Sequence, residues 1–239
     1  MGRTKANKPR FRITQPRPGQ GADVYRLLST MTDDEQPSGW QGLTDMINSG
    51  AVDAFTAATG LRYLVAEKNG TVIGAADMEP QVSWALSMAA SQPGTFTMAM
   101  VKALADLVPV LDKCAVDPRH RRQGVGTALV KAMRDQAREN HVALLYSLVA
   151  NTAWGLATGG RLVTSERLAM IVDTPSGQGR FEMIIPVDRQ VFVHPVAPGI
   201  TITQSPQEFL VQGVAIRRWP EVTPAFQHFV EAAAMMPPG

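Results

Sequence analysis

Between residues 114 and 127 the chain reads Cys-Ala-Val-Asp-Pro-Arg-His-Arg-Arg-Gln-Gly-Val-Gly-Thr. An apolar run closes at Asp117-Pro118, the cations Arg119, Arg121 and Arg122 follow, and Gly124 and Gly126 open an amphipathic stretch. The first amides of a helix have no acceptor within the helix, and its dipole favours negative charge beside them. Glycine removes the Cβ atoms that would hold an anion off the backbone. These residue types at this spacing imply a diphosphate-binding turn. An ordinary strand–helix turn with a solvated arginine cluster fits the two glycines equally well. Two other phosphate loops are excluded. A P-loop needs a lysine where Thr127 directly follows Gly126, and a dinucleotide fingerprint needs a small residue where Leu129 stands.

The elements that must hold this turn are legible on both sides. Residues 110–116 read as a strand, and 142–149 as a second, buried one. Between them Val125, Leu129, Ala132, Met133 and Ala137 share one helical face, opposite Lys131, Arg134, Asp135 and Arg138. Asn69-Gly70 separates two apolar runs, 61–67 and 71–76, and predicts a hairpin. Residues 175–179 predict another, between 168–172 and 181–185. Residues 81–107, rich in Ala and Met and split at Gln92-Pro93-Gly94, predict two helices, as do residues 22–32 and the stretch after Gly42. Ser205-Pro206-Gln207-Glu208 has the spacing of a helix-starting capping box, and Thr223-Pro224 opens a last helix. A strand–helix–strand centre with hairpins at both ends predicts an α/β or α+β fold with a mixed sheet.

The 239 residues contain one cysteine, which excludes an internal disulfide framework and a Cys-rich zinc module. Six of the 23 basic residues lie in residues 1–22 without an acid, leaving 17 against 21 acidic ones, a body of about −4. The body is therefore no basic nucleic-acid-binding domain, and any nucleic-acid contact is expected to be weak and through the tail. Residues 1–20, rich in Pro and cations, predict a disordered segment dispensable for folding and cofactor binding. The remainder divides into a domain over 21–200, with the helical insert at about 81–107, and a helical extension over 201–239 packed on it. No run has the length and apolarity of a bilayer span or a signal segment. The expectation is a soluble, cytoplasmic protein.

The segment 110–151 resembles the acyl-CoA-binding region of the GNAT N-acyltransferase superfamily, whose consensus is Arg/Gln-x-x-Gly-x-Gly/Ala. Arg121, Gly124 and Gly126 match it, and Val116-Asp117-Pro118 matches the family's Val-x-Pro. The resemblance implies a mixed, V-splayed central sheet with helices on both faces, whose fourth and fifth strands part to admit the pantetheine arm. It implies that the main chain of Cys114, Ala115 and Val116 pairs with that arm. It further implies that Arg121, Arg122, Gln123, Gly124, Val125, Gly126 and Thr127 cradle the pyrophosphate, and that Asn151 contacts the cofactor. The activity implied is direct acyl transfer, above all of acetyl from acetyl-CoA, to a primary amine on a small molecule or peptide. The reading leaves room for a homodimer.

The chain departs from the family pattern where the catalytic side chains usually stand. Trp154, Thr158 and Leu162 occupy the places of the usual alanine, the thiolate-protonating tyrosine and the phenylalanine; Val110 occupies that of a frequent glutamate. Asp112, on the same face as Cys114 and Val116 if 110–116 is one strand, is the candidate base, or else a surface aspartate paired with a cation such as Lys113. Tyr146 is the candidate acid, or else a core tyrosine with a satisfied hydroxyl. Cys114 reads as a small buried hydrophobe rather than an acyl carrier. No histidine pair has metal-ligand spacing. The alternative to an enzyme is a non-catalytic acyl-CoA-binding or regulatory module of the same fold.

Overall fold

The computed structural model describes residues 11–31, 38–91, 96–148, 152–185 and 190–234. In chain order they form β1 (Arg12–Thr14), α1 (Gly21–Leu28), α2 (Ser38–Asn48), α3 (Val52–Thr59), β2 (Arg62–Lys68), β3 (Thr71–Met78), α4 (Val82–Ser91), α5 (Met98–Leu107), β4 (Val110–Leu111), β5 (Cys114–Val116), α6 (Val125–Glu139), β6 (Leu144–Leu148), α7 (Thr152–Ala157), β7 (Arg161–Leu162), β8 (Arg167–Thr174), β9 (Gly177–Ile184), β10 (Val191–Pro195), β11 (Thr201–Gln204), β12 (Glu208–Ala215) and α8 (Pro224–Ala234). The described strands make three four-stranded sheets, ordered β1-β2-β3-β5, β4-β6-β10-β7 and β11-β12-β8-β9. This is the mixed α/β class expected from the sequence. No helix of the described residues is long and apolar enough to cross a membrane.

The chain divides into two compact units. The first comprises Met1–Val52, Tyr63–Ala76 and Lys113–Ala132. Its β2–β3 hairpin turns at Asn69 and Gly70, with φ of 52° and 81°, the pair of positive values that a tight primed turn demands. Successive residues of both strands are buried, so both faces of this sheet are covered. Gly74 lets the helix rest on the sheet: a Cβ there would lie 2.9 Å from Val125 Cγ1 and 3.2 Å from Leu129 Cδ1. The expected apolar face of α6 thus meets β3, and its start is fixed just beyond β5.

Residues 11–20 correct the expectation of a disordered tail over 1–20; residues 1–10 lie outside the described residues. Arg12–Thr14 is a strand antiparallel to β2, Arg12 opposite Glu67 and Thr14 opposite Val65. The Glu67 side chain is only 4% exposed and accepts hydrogen bonds from Arg12 Nη2 at 2.6 Å, from Arg17 Nη2, and from Gln20 Nε2 at 3.0 Å. The Arg12 hydrogen bond above all holds the carboxyl below its usual range, against the opposing effect of burial. Composition hides this because a ladder needs only backbone, and the cations' partner lies some 50 residues away. Deleting residues 1–20 is therefore expected to lower the melting temperature, since a buried carboxylate loses its partners. Glu67→Gln in the shortened chain should recover part of the loss. An unchanged melting temperature after the deletion would show that the segment contributes nothing.

The second unit comprises Asp53–Arg62, Asp77–Asp112 and Met133–Gly239. The helical insert appears as α4 and α5, which bury Val82, Ala85, Val101 and Leu104 in one core with Leu144, Met170, Phe209 and Phe226. These helices are packed elements of that core. The β8–β9 hairpin pairs from Thr174 opposite Gly177 to Arg167 opposite Ile184, as expected. Among the described residues of 201–239, only α8 is helical. Ser205 to Glu208 does not start a helix but joins β11 to β12. The Glu208 amide still donates to Ser205 Oγ at 3.1 Å, the capping bond, yet the Ser205 amide donates back to the Glu208 carbonyl at 2.8 Å. Pairing of β12 with β8, parallel from Glu208 opposite Arg167, overrides the local helical signal.

The expected single strand over 110–116 is two. Val110 and Leu111 pair in parallel with Tyr146 and Ser147, whereas Cys114 to Val116 pair antiparallel with Ala76 to Gly74. Each half is satisfied by a different sheet, and Asp112-Lys113 is the joint. The alternation that would place Asp112 on one face with Cys114 and Val116 does not hold across that break.

Candidate active site

In the first unit the candidate anion-binding turn is built by β5, a 3₁₀ turn at Pro118–His120 and the start of α6. The strand is anchored by β3 and ends where the Asp117 amide donates to the Ile73 carbonyl at 3.0 Å. Asp117, 4% exposed, then caps the 3₁₀ turn, accepting from the Arg119 amide at 3.0 Å. Arg121 Nε donates to the Val116 carbonyl at 3.2 Å and Gln123 Nε2 to the Arg119 carbonyl at 3.1 Å. These bonds tie the loop to itself and to the strand.

Arg122 and Gly124 have φ of 61° and 80°, and left-handed residues in such a loop turn successive amides toward one side. Residues 121–124 are exposed. An added Cβ at Gly124 would meet no atom within 4 Å, so open space adjoins the amides of the first turn of α6. The residues present fit a diphosphate: backbone donors at a helix start, room beside them, and the Arg122 guanidinium without a partner among the described residues. Arg121 contributes its charge while Nε is held by Val116. Cys114, Ala115 and Val116 form the last strand of their sheet. Asn151 lies outside the described residues.

In the second unit Asp112 stands in a group that sequence reasoning missed. One carboxylate oxygen each from Asp77, Glu79 and Asp112 lies within 4.8 Å of the others. Asp77 is 2% exposed at the end of β3. Glu79 exchanges backbone hydrogen bonds with Val110, both 2.8 Å, which brings the β3 end beside the segment leading to Asp112. Acids at alternate positions 77 and 79 were the available signal. Tyr146 is 9% exposed, and its hydroxyl donates to Gln81 Oε1 at 2.7 Å. Trp84 Nε1 donates to the Glu182 carbonyl at 3.3 Å, which fits a packing residue.

A family model described as the acetyltransferase (GNAT) family matches residues 23–154, more than half the chain. The chain belongs to the GNAT acetyltransferase family. The match spans the turn and both candidate catalytic residues, so the chain is a GNAT acetyltransferase with the candidate anion-binding turn inside the family region. The GNAT fold is also that of solved structures. A GNAT family N-acetyltransferase (YhbS) from Escherichia coli, in complex with CoA, has 19% identity and a TM-score of 0.50 over 87% of this chain and 92% of its own. The yncA protein from Salmonella typhimurium, with its cofactor acetyl-CoA, has 13% identity and a TM-score of 0.51 over 80% of this chain and 96% of its own. No curated protein matches the chain significantly.

Proposed function

We propose that this GNAT acetyltransferase transfers the acetyl group of acetyl-CoA to a primary amine. The observation that carries the reading is the loop at Arg121 to Thr127, with its positive φ at Arg122 and Gly124 and open space beside Gly124. The E. coli and Salmonella structures of the same fold contain CoA and acetyl-CoA, which supports the ligand.

As substrate, acetyl-CoA supplies an activated acetyl group: the acceptor's ammonium first gives one proton to a base, the neutral nitrogen then bonds to the thioester carbon as the C–S bond breaks, and nitrogen loses a second proton while the departing sulfur gains one. The chain's residues would bind, orient and move those protons. The amides of Gln123 to Thr127 and the Arg122 guanidinium hold the diphosphate, and the edge strand Cys114–Val116 offers backbone to the pantetheine arm. Asp112, supported by Asp77 and Glu79, attracts the ammonium form of the acceptor and takes its proton, directly or through water. Tyr146 is the proton donor to sulfur; its hydrogen must then leave Gln81, and an unchanged rate in Tyr146→Phe would return that role to water. A body of negative charge and three clustered carboxylates suit a cationic acceptor.

The test is release of free thiol from acetyl-CoA across a panel of small amines, amino acids and peptides. Amine-dependent thiol release with N-acetylated product supports the reading. CoA binding with no turnover on any acceptor would favour the binding-module alternative, which Thr158 and Val110 at the usual catalytic positions favour.

A further inference from the structure

We propose that Asp117 is a positioning residue for the anion-binding loop, acting through Arg119 and Arg26 rather than by touching the ligand. The proposal rests on the reading that this loop holds the diphosphate of CoA. An acid within a cationic anion-binding loop is, by charge alone, a liability. The geometry gives the opposite account. The Asp117 side chain, 6% exposed, accepts three hydrogen bonds from Arg119, Oδ1 from its amide at 3.0 Å and from Nε at 3.1 Å and Oδ2 from Nη2 at 3.1 Å, and pairs ionically with Arg26 of α1, whose Nη1 lies 3.7 Å from Oδ2.

Two consequences follow. Arg119, first cation of the loop, makes a two-pronged pair with Asp117 while its side chain stays 83% exposed, so its guanidinium is committed to the loop's own shape; Arg122 is the loop arginine with no partner among the described residues. The same carboxylate joins α1, through Arg26, to the turn between β5 and α6, and the Arg119 carbonyl in turn accepts from Gln123, the residue before Gly124. The chain of bonds from Asp117 to Gln123 is what sets the direction of the amides that follow. Hydrogen bonds from the Arg119 side chain, then from its amide, hold the Asp117 carboxyl down at about 2, so the clamp is charged throughout the working pH range.

Positioning and plain electrostatics predict opposite signs. If Asp117 acted only as a negative charge near a polyanion, Asp117→Ala would tighten CoA binding and Arg119→Ala would weaken it, additively. As a positioning residue, Asp117→Ala should weaken CoA binding by about tenfold, the equivalent of one lost cap. Arg119→Ala should weaken it similarly, and the double variant should be no worse than either single one. Asp117→Asn, which keeps an acceptor for the Arg119 amide but loses the ionic fork, should fall between wild type and Asp117→Ala, and serves if the alanine variant folds poorly. With an identified acceptor, KM for acetyl-CoA should rise while kcat at saturation stays near wild type.

Calorimetric titration of CoA into the full chain and these variants decides it. Wild type that binds no CoA would overturn the reading of the loop itself. Wild type that binds, with Asp117→Ala and Asp117→Asn binding as well or better, would overturn the positioning role alone. Additive losses in the double variant would also overturn it, because the two residues would then act separately.

Discussion

Asp112→Asn is expected to slow acetyl transfer by ~10²–10⁴-fold, the usual contribution of a general base, while leaving CoA affinity and the melting temperature unchanged. The amide keeps the shape of the side chain and removes its capacity to take a proton. Asp112 is the member of the three-carboxylate group nearest in sequence to Cys114, and no glutamate stands at position 110 to share the work. The pH dependence of turnover should change with the rate, because an ionisable group has gone. A loss confined to Glu79→Gln would move the role to that neighbour, and wild-type rates in both variants would assign proton removal to water.

His194 is expected to make the protein lose stability as pH falls from about 6.5 toward 4. The ring is 1% exposed on β10, its Nε2 3.3 Å from Ser147 Oγ, and its Nδ1 is enclosed without a partner among the described residues. Burial first, and then the charge of Arg134, push its pKa from 6.5 down to about 4. A depressed histidine is neutral in the native state, so between those values only the unfolded state takes up the proton. The contribution is nil above pH 6.5 and grows as pH falls, to about 3 kcal/mol lost by pH 4. Urea unfolding at pH 7 and pH 5 should therefore show wild type losing about 2 kcal/mol more than His194→Gln over that interval. Equal losses in the two proteins would contradict the assignment, and the variant's own stability does not affect that comparison. Contributions from the acidic residues cancel because both proteins carry them.

The loop was legible because its chemistry is local. Asp117-Pro118, the arginines and the two glycines lie within ten residues, and a helix start needs only that spacing to present its amides. The hairpins at Asn69-Gly70 and at 175–179 were legible for the same reason. What escaped depends on residues far apart. The break between strands at Asp112-Lys113 arises because Val110 and Leu111 are claimed by β6 while Cys114 to Val116 are claimed by β3, a competition invisible in the apolar pattern of 110–116. Asp77 and Glu79 join Asp112 only once Glu79 bridges to Val110. The Arg12 and Arg17 cations look like a solvated tail until the buried Glu67 is known. At Ser205-Pro206 the sequence carried a true local signal, and the capping hydrogen bond does form, but strand pairing with β8 decides the backbone.

If the amides beyond Arg121 hold the diphosphate of CoA, calorimetric titration of CoA should separate wild type from Gly124→Glu. The substituted side chain would carry bulk and negative charge into the open space beside Gly124, at a φ of 80° that side chains rarely adopt. The expected result is saturable one-to-one binding by wild type and at least a hundredfold weaker binding by the variant, equivalent to about 2.7 kcal/mol, with the fold retained by circular dichroism. Undiminished CoA affinity in a folded Gly124→Glu protein would contradict the claim.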